Sequence, residues 1–305
     1  MARYIVRRLL QVAVTLFGVA LLSFLLLKAA GGDPAQVLAG DVANQEVIEN
    51  LRREFGFDEP LPVQFATFLG KAVQGDFGVS YFTREPVSEL IARTYPRTLL
   101  LAALAIVFSF VGGVTLGLAA ALRPYSWVDG LMMLVSVLGL SIPGFWLALM
   151  LIAVFSLQLG WLPVIGLESP RHYVLPVIVA GSYSLALTAR MTRAGMLEVL
   201  HDDYIRTARA KGLRERAVVL RHALRNMLIP VITISALSLG FMLGGTVVVE
   251  IVFSIDGIGN MIVEAIQRRD APVVQAGLMV VAANFVAVLF LLDILLVALN
   301  PRIRL

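Results

Sequence analysis

Apolar stretches free of charge recur along the chain at residues 9–27, 98–122, 131–167, 172–189, 226–249 and 273–292. Crossing about 30 Å of hydrocarbon takes about 20 helical residues. Within that layer a helix satisfies its own backbone hydrogen bonds, so six membrane-spanning helices are expected. The third stretch, 131–167, has room for one tilted span with an interfacial tail, or for two short passes hinged at Pro143-Gly144. Residues 31–97 are too polar to be membrane. Pro34, Pro60, Pro62 and Pro86 interrupt them, while 37–55 and 63–73 carry apolar side chains at helical spacing. This segment reads as a small, mostly helical domain outside the bilayer, or as a plain spacer between spans.

Charge placement orients these elements. Arg3, Arg7 and Arg8 precede the first stretch and hold the N-terminus in the cytoplasm by the positive-inside tendency. The same arginines would suit a cleaved signal peptide, but the apolar run exceeds the usual length of about 7–15 residues. Residues 190–225 hold nine Lys or Arg against four acids, a surplus of five. One crossing by 131–167 leaves that surplus in the cytoplasm and two crossings would place it outside, so one is expected. Arg302 and Arg304 then fall inside as well, and 31–97, with ten acids against six basic residues, falls outside. Composition agrees: 59% of residues are hydrophobic and 15% charged, where soluble domains have roughly half and a quarter. The expected class is an all-α polytopic membrane protein with six transmembrane helices. Both termini are cytoplasmic, and a small extracytoplasmic domain follows the first span.

Candidate chemistry is sparse. The chain has no cysteine and three scattered histidines, which leaves neither a disulfide framework nor a thiolate metal site. An ion-driven transporter keeps ionisable groups inside its spans. Here Asp293 alone interrupts an apolar stretch, close to Asn300 and Arg302, and it reads as an interfacial carboxylate. A phosphate-cradling G-x-x-x-x-G-K-[ST] loop is absent: Gly70-Lys71 is followed by Ala72, with Phe65 where the motif needs glycine. No catalytic or metal-binding residue is expected, and the lipid bilayer, not nucleic acid, is the expected environment.

The most informative segment is 197–226. Asp202 and Asp203 suit a helix N-terminus, and Arg209 and Lys211 its C-terminus. Gly212 suits a left-handed cap with Leu213 as the returning hydrophobic contact. A second helix would carry Ala217, Leu220 and Leu224 on one face, with Pro230 four residues beyond its end. Such a basic elbow can rest on anionic headgroups. Its small residues, Thr207, Ala208, Ala210 and Gly212, also suit the close approach of another protein's surface.

Those residues carry a resemblance. Arg206-Thr-Ala-Arg-Ala-Lys-Gly212 resembles the EAA loop of ABC-importer permeases, and Asp203 to Leu213 is similar to the dipeptide/oligopeptide branch, although Arg206 and Arg225 stand where the general loop has Glu and Pro. Gly32-Asp33-Pro34, Gln74 to Ser80, Glu250 to Gly259, Arg269 to Gln275 and Asp293 to Arg304, ending Asn300-Pro-Arg-Ile-Arg304, match the same branch in order. Asp256 and Ala271 depart from it, at positions that often hold Pro and Tyr.

The resemblance implies a type I ABC-importer transmembrane fold in the bacterial inner membrane. The first span would be 1–28, the extracytoplasmic domain 29–97, and the transmembrane core 98–305 with coupling loop 197–226. It further implies a second, related permease subunit, two ATPase subunits carrying ATP and Mg, and a periplasmic binding protein, with no cofactor bound by this chain. Di- or oligopeptides are the implied substrates. Glutathione, nickel chelates and opine-like conjugates are alternatives within the class, and a non-transporting membrane scaffold is the alternative outside it. Arg206, Thr207, Ala208, Arg209, Ala210, Lys211 and Gly212 would dock the ATPase. The polar stretch 250–275 would form an external loop whose Glu250, Phe253, Ser254, Gly257, Gly259, Arg269 and Asp270 gate the pore or meet the binding protein.

Overall fold

The computed structural model describes residues 2–29, 31, 33–39, 44–167 and 169–299, and among them the regular elements are helices apart from one isolated bridge, Val79 to Pro86. Helix α1 is Ala2–Ala29, α2 Pro34–Ala39, α3 Gln45–Phe55, α4 Leu61–Val73 and α5 Val87–Ala121. Then come α6, Trp127–Ser141, and α7, Gly144–Leu151, which continues as a π-helix over Ile152–Gln158. Helix α8 is Pro170–Val199, α9 Asp203–Ala210 and α10 Glu215–Ala217, followed by a second π-helical stretch, Val218–Ala223. The last three are α11, Leu224–Val252, α12, Ile258–Gln267, and α13, Ala271–Leu299. Asn300, Arg302, Arg304 and the side chains of Arg3, Arg7 and Asp293 lie outside the described residues.

Among the described residues, four helical stretches are long and apolar enough to cross a membrane: Leu10–Ala29 of α1, all of α5, all of α8 and Ala271–Leu291 of α13. The expected span at 226–249 falls on α11, several of whose side chains lie outside the described residues. The expected span at 131–167 is not a straight helix. It breaks at Ile142-Pro143 into two arms bent by 112°. Ile142 precedes a proline, is pushed out of helical backbone, and sits at ψ 123°. The first arm has 15 residues, about 22 Å at 1.5 Å per residue, which falls short of a bilayer by itself. Only the bent pair together has the length of one span.

The contacts divide the chain into two compact units, one running up to Thr98 and including Asp256–Ala287, the other covering Leu99–Ile255 and the stretch from Val288. In the first, Val87, Leu90, Ala265, Val273, Val274 and Ala276 form a buried cluster with Leu27, Phe77, Ile91 and Met261 packed on it. Helix α3 is capped at both ends: the Asn44 side chain accepts from the Val47 N–H at 3.0 Å, and Gly56 closes the helix at φ +67°. Helix α4 packs on α1 through Phe65, whose ring lies 5.7 Å from that of Phe17 and 5.4 Å from that of Phe24.

In the second unit α8 is the central member. Its buried positions are mostly small: Gly181, Ser184, Ala186, Thr188, Ala189 and Thr192. Helix α5 meets them with glycines. A Cβ on Gly117 would lie 2.4 Å from the Ala189 carbonyl oxygen, and one on Gly113 2.6 Å from the Thr188 Cβ. Helix α6 approaches likewise, with the Gly139 position 3.0 Å from the Ala186 Cβ. In lipid, where apolar burial does not favour one helix contact over another, close packing of small residues holds helices together. Gly117→Ala should therefore destabilise the detergent-solubilised protein by about 1–3 kcal/mol. Gly130→Ala, with no atom within 4 Å of the added carbon apart from its chain neighbours and its own helix backbone, should leave a thermal melt unchanged or shift it upward. Parallel melts of the two variants check this.

Candidate functional site

The segment 197–226 folds as a helix–glycine–helix elbow built onto the membrane core. Ile205 and Ala208 on α9 are buried in a cluster with Met196 of α8, Val218, Val219 and Ala223 of the second π stretch, and Met227 and Val231 of α11. The helix ends at Gly212 with φ +74°. Around it the Lys211 N–H donates to the Thr207 carbonyl at 3.1 Å, the Gly212 N–H to Arg209 at 2.9 Å and the Leu213 N–H back to Ala208 at 3.4 Å. A left-handed turn of this kind favours glycine because any Cβ meets the neighbouring carbonyl. Across it the Arg209 guanidinium grips Glu215, Nη2 to Oε1 at 2.8 Å and Nε to Oε2 at 3.2 Å.

Residue by residue the elbow differs from the expectation in three ways. Arg206, Thr207, Arg209, Ala210, Lys211 and Gly212 are exposed, but Ala208 faces inward at 6% exposure. Its small side chain packs α9 into the buried cluster. The second helix does not bury Ala217, Leu220 and Leu224 as one face. Its π turns shift the phase, so that Val218, Val219 and Ala223 are buried while Leu220 is 56% exposed. Nor does it end before Pro230: α11 runs through that proline to Val252.

The stretch 250–275 is not one open loop. Glu250 lies in the last turns of α11 and is fully buried, as is Phe253, which packs with Leu101, Leu175, Val179, Val249 and Ile255. Ser254 takes φ +51° and Ile255 donates back to the Glu250 carbonyl at 2.7 Å, closing α11. Gly257 caps α12, and Gly259 is buried within it. Arg269 repeats the device at the end of α12 with φ +57°, and the Asp270 N–H returns to Ala265 at 2.8 Å. The Asp270 carboxylate, 3% exposed, accepts from the Ser80 hydroxyl and from the N–H groups of Tyr81, at 3.1 Å, and Phe82, at 3.3 Å. Burial first, and the charge of Asp270 second, push the Tyr81 phenol well above its ordinary pKa. Of the seven residues, Ser254 and Arg269 are exposed in this structure; Glu250, Phe253, Gly257, Gly259 and Asp270 are buried.

One arrangement escaped the sequence reading. Asp129, in the first turn of α6, accepts a two-pronged grip from Arg193 of α8, Nε to Oδ1 at 2.5 Å and Nη2 to Oδ2 at 2.7 Å. The Tyr125 N–H adds a bond of 3.0 Å to the same carboxylate. Asp129 is nearly buried. The only sequence signal was an acid at the mouth of one apolar stretch and an arginine at the mouth of another.

Residues 113–305 match the family model described as binding-protein-dependent transport system inner membrane component, and residues 1–102 match the model of its N-terminal part. The chain belongs to this family. It is 44% identical over 304 residues to the glutathione transport system permease protein GsiC of Escherichia coli K12, covering 100% of this chain and 99% of that protein, and equally to GsiC of Shigella dysenteriae serotype 1. Two structures of the MetNI methionine ABC transporter in inward-facing conformations superpose with TM-scores of 0.54 and 0.57 at 19% and 21% identity, over 69% of this chain and 96% of theirs. They share the type I importer fold. The chain is thus a multi-pass inner-membrane permease subunit of an ABC importer.

In this permease the elbow is held partly by charge. The Arg209 guanidinium keeps the Glu215 carboxyl below the usual glutamate value of 4.5, and Glu215 in turn raises Arg209. A carboxyl depressed in the folded state contributes stability above its unfolded pKa and loses it as pH falls through the folded one. Both partners are largely exposed, so the contribution is small. The stability gap between the native permease and Glu215→Gln should be present at neutral pH and close below about 4.5, as pH-dependent melts can record. For the clasp, Asp129→Asn and Arg193→Met should each lower the melting temperature by several degrees. The double variant Asp129→Leu/Arg193→Met should recover much of that loss, because the unpaired buried charge is gone.

Proposed function

We propose that this permease forms, with a second related permease subunit, the translocation pathway of an ATP-driven importer for small peptides delivered by a periplasmic binding protein. Two ATPase subunits carry ATP and Mg and dock on the elbow, and both termini lie in the cytoplasm. The observation that carries this reading is the elbow itself. Its inner face, Ile205 and Ala208, is locked into α8 and α11, while its outer face presents Thr207, Ala210, Lys211 and Gly212. A surface rigidly attached to two long helices can pass a displacement on without melting, which alternating access driven by a partner requires. A headgroup-binding loop needs no such lock.

Within the peptide class, glutathione, itself a tripeptide, is favoured by the 44% identity to permeases that bear its name. The segment 29–97 acts as an extracytoplasmic domain, and of the seven candidate residues in 250–275 the exposed pair, Ser254 and Arg269, meets the binding protein.

The test is ATP hydrolysis by the complex of this permease with its genomic neighbours in liposomes. Binding protein loaded with glutathione should stimulate hydrolysis more than the same protein loaded with dipeptides. Gly212→Arg should abolish most of the stimulation while the complex still assembles. Stimulation by neither ligand, or an unaffected Gly212→Arg complex, would remove the proposal.

A further inference from the structure

The first unit contains a cavity of about 400 Å³ with six aromatic side chains in its lining. Phe24 and Leu27 come from the last turns of α1, Phe68 from α4, and Phe55, Phe57 and Tyr81 form a ladder along one side. Phe55 stacks on Phe57 at 5.8 Å, and Phe57 meets Tyr81 edge-on at 6.2 Å. Lys28 reaches into this space. Its ammonium lies 5.9 Å from the Phe24 ring centroid and 5.8 Å from that of Phe57. Among the described residues it makes no hydrogen bond or ion pair. Asp33, whose charge acts on Lys28, is already engaged by Arg52 at 2.5 Å. Ring faces attract a cation but do not replace the acceptors its three N–H bonds need.

The position of the cavity limits what fills it. Lys28 stands at the end of the apolar stretch Leu10–Ala29, which is where the bilayer gives way to headgroups and where lysines extend towards phosphate. Helix α4 is held against the same span by Phe65, between Phe17 and Phe24, which sets the pocket beside the end of that span. Lys71 of α4 lines it as a second cation, and Glu59 and Asp76 line it as acids. Asp76 is partly occupied by the Gly78 N–H at 2.9 Å.

We propose that this cavity is a phospholipid site. The phosphate diester sits on the Lys28 ammonium with Lys71 beside it, and an acyl chain lies among Phe24, Phe57 and Phe68. Glu59, which lines the same pocket, supplies a carboxylate for an amine headgroup, and phosphatidylethanolamine is the expected class. The inference needs α1 to be a span but does not depend on the transported substrate. The occupant belongs to the leaflet at the C-terminal end of α1, the outer one in the orientation proposed above.

Native mass spectrometry of the intact importer complex, released from vesicles of phosphatidylethanolamine and phosphatidylglycerol, tests it. The native complex should retain a tightly held phospholipid, predominantly phosphatidylethanolamine. Lys28→Met should weaken retention about ten-fold, the effect of losing one charge-assisted hydrogen bond. Lys28→Arg should keep it, and Phe57→Ala should lower it without altering subunit composition. Equal retention in all four proteins would overturn the proposal. So would displacement of the adduct by millimolar inorganic phosphate, which marks a free-anion site, or a pocket found filled by a segment of the binding protein.

Discussion

The close approach of helices along α8 is the contact on which the transmembrane part of this permease depends. Gly113 and Gly117 of α5 and Gly139 of α6 leave no space for a side chain against Thr188, Ala189, Thr192 and Ala186. Small residues let backbones approach where lipid removes the usual hydrophobic reward for helix pairing. Because α8 is gripped along this face, its end at Val199 is a fixed point, and the elbow inherits that rigidity through Ile205, Ala208 and Met196. The Asp129–Arg193 clasp then fixes the start of α6 to the same helix. In the proposed importer a push on Lys211 or Gly212 is therefore felt by α8, α11 and α6 as one body.

Departures from straight helix have identifiable local causes. Pro143 turns α6 into α7 by 112° because the residue before a proline leaves the helical region. Two π-helical stretches, Ile152–Gln158 and Val218–Ala223, widen the backbone where the chain leaves a span or enters one. Helices α11 and α12 end at non-glycine residues in left-handed backbone, Ser254 and Arg269. Each costs about 1–2 kcal/mol, offset by the closing hydrogen bonds and, beside Arg269, by the three donors that converge on Asp270.

Much of this was legible in the chain because it rests on periodicity and local chemistry. Apolar length located α1, α5, α8 and α13, and the pairing of Asp202-Asp203 with Gly212 located α9 and its cap. Spacing at 63–73 found α4 almost to its ends. What sequence could not supply was phase and partnership. A π turn between Ala217 and Leu224 moves the buried face by one position, and no propensity rule announces it. Ala208 looked like a place for a partner because small residues suit both close docking and internal packing. Asp129 and Arg193, 64 residues apart, and Ser80 and Asp270, 190 apart, meet only once the helices are assembled. The 250–275 stretch read as an exposed loop because it is polar, yet Glu250 and Asp270 are buried.

The central claim is that the outer face of the elbow, and not its inner face, receives the ATPase. The chain has no cysteine, so a single cysteine reports one position without background. Bifunctional cross-linking from Ala210→Cys, and separately from Ala208→Cys, in membranes containing the genomic neighbours measures the claim directly. The account predicts a cross-link from position 210 to an ATPase subunit, with a yield that changes when ATP is added, and none from position 208. Cross-links from neither position to any ATPase, in membranes where the subunits co-purify, would contradict it.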